Sequence, residues 1–256
     1  MGIVVALLLG SCGAEVEDFE VAARDRKVQT TSLAVGVWSQ DSSYRTLGGQ
    51  PALLVGFDLS ADTFDFARWR DVIKTLDKSG GSYLKIATTD GEDGDLDKLF
   101  RLASEAGVLL EGERAGEELP RATSVAEFNR LLLAGARGAV FTEYSQRNLN
   151  ALRGLRAVER HLPLWDLSLD STLLGFSDAY ASAATDGYGN YVVYASGSGR
   201  INLELDPDQV PRRVTVVGHL GTQRSELLRP PYDRHFSLLS NEERGGWIVI
   251  QRVEAD

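Results

Sequence analysis

The chain has 256 residues, 43% hydrophobic and 25% charged, an ordinary globular balance that excludes wholesale disorder. Asp and Glu outnumber Lys and Arg by 37 to 27, and the formal net charge of −10 argues against nucleic acid as a partner, because phosphate binding needs a basic face. The single cysteine, Cys12, excludes a disulfide within the chain and any cysteine-based zinc cluster.

Ile3 to Leu9 is an uninterrupted apolar run followed by Gly10-Ser11-Cys12-Gly13. It is far short of the roughly 20 residues of a membrane-spanning helix and has the length of a signal-peptide core ending in small residues. Leu9-Gly10-Ser11-Cys12 resembles the lipobox of bacterial lipoproteins. That resemblance implies a signal over residues 1–12, lipidation of Cys12, and an extracytoplasmic protein held on the membrane of the bacterial cell envelope by its lipid anchor. The alternative is an N-terminal strand with an incidental cysteine. Residues 13–32 are charged and polar and read as a tether.

Residues 33–146 alternate strand-like and helix-like periods. Ala34 to Trp38 is β-prone, and Gly48-Gly49 between Tyr44–Leu47 and Gln50-Pro51 reads as a hairpin turn. The apolar run Ala52 to Phe57 is a strand covered on both faces. Phe66, Trp69, Val72, Ile73 and Leu76 then fall at helical spacing over about Asp65 to Lys78, with Gly80-Gly81 as the stop and Trp69 in the helix core. A strand at Tyr83–Ala87 leads to a second helix with Leu96, Leu99, Phe100 and Ala103 on one face and Gly107 after its end. Val108–Leu110 is a third strand. Ser124-Val125-Ala126-Glu127 is a capping-box pattern opening a helix through Leu133, and Gly138–Phe141 is a fourth strand. Such alternation means parallel strands with right-handed crossovers. The chain length would accommodate a complete (β/α)₈ barrel, but four strands are half of the eight a closed barrel needs. A linking helix over 147–163 is stopped by Pro163.

Residues 164–256 change texture to short strands with Gly, Asp and Asn turns: Tyr180–Ala184, Tyr191–Ala195, Ile201–Leu205, Arg213–Val217, Ser225–Leu228, His235–Leu239 and Trp247–Val253. Their count and spacing are those of a small antiparallel β-sandwich. The expected class is therefore α/β plus all-β: an incomplete or shortened (β/α) barrel-like layer followed by a C-terminal antiparallel β-sandwich.

Leu131 to Phe141 resembles the last helix–strand unit of apiosidase-like glycoside hydrolase barrels. Gly49 to Gly56 is similar to the hairpin and first strand of such barrels, and the stretch from Leu164 to Ile250 to the β-domain that follows them, often labelled collagen-binding. The resemblance implies a polysaccharide or glycan as the partner and a Gly-Glu strand end carrying a catalytic carboxylate, which Gly112-Glu113 matches. Gly116 stands where the family has an aromatic, and the family's mid-barrel acid has no matching position.

Glycoside hydrolysis needs two carboxylates across a cleft, and in a parallel α/β layer the loops after the strands make the site. Asp58, Asp90, Glu113 and Glu143 are the candidates, with Trp38 and Tyr144 as sugar-stacking aromatics. Asp58 and Asp90 also suit helix caps, and Glu113 a solvated, salt-bridged loop. The acids of Asp90–Asp97 do not fit a calcium loop, and His161, His219 and His235 are too scattered for a metal site, so no metal and no cofactor is expected. Two functions remain open: a glycoside hydrolase-like enzyme working through a carboxylate-lined cleft, and a non-catalytic glycan- or protein-binding or scaffolding lipoprotein on a degenerate barrel.

Overall fold

The computed structural model describes residues 4–5, 38–41, 44–47, 50–87, 93–112, 118–175, 177, 180–205, 210–229, 235–240 and 245–253. In chain order the first half comprises β1 (Val4–Val5), β2 (Trp38–Asp41), β3 (Tyr44–Leu47), β4 (Gln50–Pro51), β5 (Leu54–Leu59), α1 (Phe66–Ser79), β6 (Tyr83–Ile86), α2 (Asp93–Glu105), β7 (Leu109–Gly112), β8 (Arg121–Ala122), α3 (Val125–Leu133), β9 (Gly138–Phe141) and α4 (Gln146–Glu159). The second half comprises β10 (Ser168–Leu169), β11 (Ala181–Thr185), β12 (Tyr191–Ala195), β13 (Gly199–Glu204), β14 (Arg212–Gly218), β15 (Gln223–Leu228), β16 (His235–Ser240) and β17 (Gly246–Arg252). Among the described residues no helix is long and apolar enough to cross a membrane. Cys12 and the expected tether lie outside the described residues. Val4–Val5, within the apolar run, pairs in parallel with β16.

The helices form where their caps and stripes dictate. Asp65 caps α1 by accepting from the Arg68 N–H at 3.1 Å. Gly80, at φ 75°, closes the helix in the left-handed conformation, with Gly80 N–H donating to Asp77 and Gly81 N–H to Leu76. Ser124 caps α3 as expected, but the Glu127 carboxylate accepts from Thr123, through both its N–H and its hydroxyl at 2.8 Å. In α2, Leu99 and Ala103 are buried while Phe100 is 44% exposed, so the buried stripe is narrower than its spacing suggests.

Five strands form a parallel sheet in the order β7-β6-β5-β9-β8. The fifth, β8, was not expected; two residues carry no period to read. One face of this sheet (Leu53, Val55, Phe57, Leu84, Leu110, Ala139, Phe141) packs on apolar residues of all four helices. A separate antiparallel sheet of six strands has the order β10-β11-β12-β17-β14-β15. Its Val192, Tyr194, Val217, Trp247 and Val249 belong to the same core, so α3 and α4 lie between the two sheets. The opposite face (Tyr191, Val193, Val214, Ile248, Ile250) meets Ile201 and Leu203 of β13. The core is thus continuous across both halves of the chain, and α4, expected as a linker, is one of its layers.

Candidate functional site

Side chains alternate across a strand, and the parallel register carries the alternation from strand to strand. Leu54, Tyr83 and Val140 therefore share the sheet face turned away from the helices, where they form a small cluster with Leu119. One step further toward the strands' C-terminal ends, that face changes from apolar to charged. Asp58 is paired in register with Lys85, and Lys85 with Glu111. Arg121, two strands from Asp58 on the other side, reaches across β9 to join the row. The spatial order is Glu111, Lys85, Asp58, Arg121, alternating in sign.

Asp58 is the most constrained of these groups. Its side chain is 7% exposed, while that of Arg121 is 56% exposed. Arg121 Nε donates to Oδ2 at 2.9 Å, and Nη2 lies 2.6 Å from the same oxygen. The other oxygen, Oδ1, accepts from the Ser60 hydroxyl at 2.6 Å and the Ser60 N–H at 3.2 Å. Burial, the largest single influence, pushes the Asp58 carboxyl up, but the Ser60 donors and the Arg121 guanidinium together hold it below the ordinary carboxylate range. Asp58 is thus an ionised acceptor with both oxygens engaged, ill suited to donate a proton to a leaving group.

Glu111 is buried, and its Oε2 accepts from the Tyr83 hydroxyl at 2.9 Å. Asp58 and Glu111 stand two strands apart, so their backbones are separated by about 9.5 Å with Lys85 between them. Among the described residues Lys85, half-buried between them, forms no ion pair. The row offers alternating donors and acceptors, a pattern suited to hydroxyl groups.

The sequence candidates are only partly brought together. Asp58 lies in the row. Asp90 and Glu113 lie outside the described residues, as does the side chain of Trp38 in β2. Glu143 is exposed just past β9, and its backbone carbonyl accepts from Asn148 Nδ2 at 2.9 Å. Tyr144 turns toward the helix-side core, its ring edge-on to Phe57 at 5.2 Å. Trp69 is fully buried in the core, as expected. Lys85, Glu111 and Arg121 are not among the residues singled out from sequence. The available signal was one charged residue inside each of the apolar runs Tyr83-Leu84-Lys85-Ile86 and Leu109-Leu110-Glu111.

No family model matches the sequence, and no curated protein matches it. Solved structures do. One, a protein called a glycoside hydrolase, aligns over 88% of this chain and 99% of its own with a TM-score of 0.61 and 8% identity. A glycoside hydrolase family 5 protein from Bacteroides vulgatus aligns over 84% of this chain and 93% of its own, with a TM-score of 0.61 and 7% identity. At such identities the likeness is one of fold. The five-stranded parallel sheet with its helices and the separate six-stranded antiparallel sheet together make a glycoside-hydrolase-like fold.

Proposed function

We propose that this protein is a carbohydrate-binding relative of glycoside hydrolases that holds polysaccharide along the charged row at the strand ends and does not hydrolyse it. One observation carries the reading: Asp58, the sequence candidate set deepest in the row, has both carboxylate oxygens answered by Ser60 and Arg121. A general acid must give up a proton near neutral pH, and a carboxylate held ionised by an arginine is poorly placed to do so. In this reading the parallel layer is a shortened barrel, and the antiparallel sheet with β13 is a sandwich of the kind that follows apiosidase-like barrels. Lys85 and Arg121 would donate to sugar hydroxyls and Glu111 would accept.

The lipobox-like Leu9–Cys12 supports an extracytoplasmic, lipid-anchored protein. Processing at Cys12 would remove β1 from the edge of the β16 pairing. Expressed in a bacterium, the full chain should partition into the detergent phase, and Cys12→Ser should move it to the aqueous phase. Equal partitioning of the two contradicts the anchor.

The binding reading is tested by affinity electrophoresis through gels containing soluble β-glucan or xylan, with a reducing-end assay on the same samples. Retardation is expected, weakened at least about tenfold by Lys85→Ala, with no release of reducing ends. Hydrolysis abolished by Glu113→Gln or Glu143→Gln would instead make the chain an enzyme.

A further inference from the structure

A second feature lies on the other side of the helix layer. Between the first turns of α3 and α4 and the antiparallel sheet is a cavity of about 440 Å³, within the range of about 300–1,000 Å³ typical of small-molecule sites. Its inner wall is Asn129 of α3, Tyr194 of β12 and Trp247 of β17, and its rim carries Arg147 of α4 and His219. Asn129 is 1% exposed, and among the described residues neither its amide nitrogen nor its amide oxygen makes a hydrogen bond of ordinary geometry, the neighbouring Tyr194 hydroxyl giving at most a weak contact. A buried amide left with both groups unanswered costs about 1–3 kcal/mol for each group, so such groups are normally paired. Here the amide lines an open volume.

The walls define what would answer it. Tyr194 and Trp247 meet edge to face at 5.0 Å and offer apolar ring surface. Gly245, at φ 85°, leaves the space beside the Tyr194 hydroxyl that any Cβ would fill. Among the described residues no carboxylate lines the cavity, whereas an arginine and a histidine do. The first turn of α4 contains no acid, so the positive end of that helix is not neutralised there. We infer that this cavity is a binding site for a small carboxylate-bearing sugar, with Arg147 taking the carboxylate, the Asn129 amide bonding ring hydroxyls as donor and acceptor, and the aromatic rings packing against the sugar's apolar face.

The site is independent of the polysaccharide-binding row. The test is titration of the whole protein with D-glucuronate and with D-glucose, followed by calorimetry and by tryptophan fluorescence. D-Glucuronate should bind saturably at concentrations up to about 10 mM, D-glucose at least about tenfold more weakly. Asn129→Leu should lose at least about tenfold in glucuronate affinity while keeping the wild-type Tm or exceeding it, since it removes an unanswered polar group. Arg147→Gln, on the exposed rim, should abolish the preference for the acid without touching the core. Glu111→Gln should leave glucuronate binding unchanged, which separates this site from the row. Absence of saturable glucuronate binding, equal binding of the two sugars, or binding that survives Asn129→Leu each overturns the inference.

Discussion

The two polar regions of this molecule handle buried polarity in opposite ways. On the face of the parallel sheet turned away from the described helices, Asp58 is answered on both oxygens and Glu111 by Tyr83. In the cavity beneath α3 and α4, the more deeply buried Asn129 makes no hydrogen bond of ordinary geometry among the described residues. A satisfied network in a low-dielectric setting is rigid. An unsatisfied group lining a cavity is a standing cost that a ligand can remove. The contrast teaches that carboxylates at strand ends need not form a reactive pair, and that an isolated amide can mark a site better than a cluster of acids.

Substitutions should separate the two regions by size and sign of effect. The largest effect is expected for Trp247→Ala. Trp247 is fully packed against Tyr194 and shares the core with α4, and truncation should cost about 3–5 kcal/mol in urea unfolding. A loss below about 1 kcal/mol would mean that the cavity wall is not part of the core.

Arg121→Met comes next, because it strands the buried Asp58 charge. Breaking a fully buried pair costs about 3–5 kcal/mol, but the exposed guanidinium is screened, and about 1–2 kcal/mol is expected. The pH dependence gives the sign. Asp58 has a lower pKa folded than unfolded, so its contribution is present above the unfolded value of about 3.9 and is lost as pH falls through the folded one. Arg121→Met should flatten that acid limb. An unchanged limb would mean that the pair does not hold the Asp58 charge.

Tyr83→Phe should cost about 1 kcal/mol through the lost bond to Glu111. The smallest effect, of opposite sign, is expected for Asn129→Leu, with no loss or a gain of up to about 1 kcal/mol. A loss as large as that of Arg121→Met would erase the distinction between the two regions.

Much of the fold was legible because local chemistry and tertiary need agreed. The α1 stripe of Trp69, Val72, Ile73 and Leu76 between Asp65 and Gly80 is the clearest case, and Tyr191–Ala195 and Gly138–Phe141 form strands with the bounds their composition suggests. Three features were not legible, each for a physical reason. Arg121–Ala122 is too short to show a period and is a strand only because β9 lies beside it. The Glu111–Lys85–Asp58 row exists only once strand register is known, since its members are separated by more than 20 residues in sequence. Asn129 shares the buried side of α3 with Val125, Phe128 and Leu132, and a polar residue on that stripe was a readable anomaly. Its open cavity was not readable, because the facing wall comes from β12 and β17.

Polysaccharide binding without hydrolysis at the strand ends is the proposal on which the function of this protein turns. The direct measurement is incubation of the protein with soluble β-glucan and xylan, with retention on the polysaccharide and reducing ends read from the same samples. Retention that Lys85→Ala weakens at least about tenfold, with no reducing ends above the protein-free control, is the expected result. Release of reducing ends by the wild type that disappears in Glu113→Gln or Glu143→Gln would contradict it.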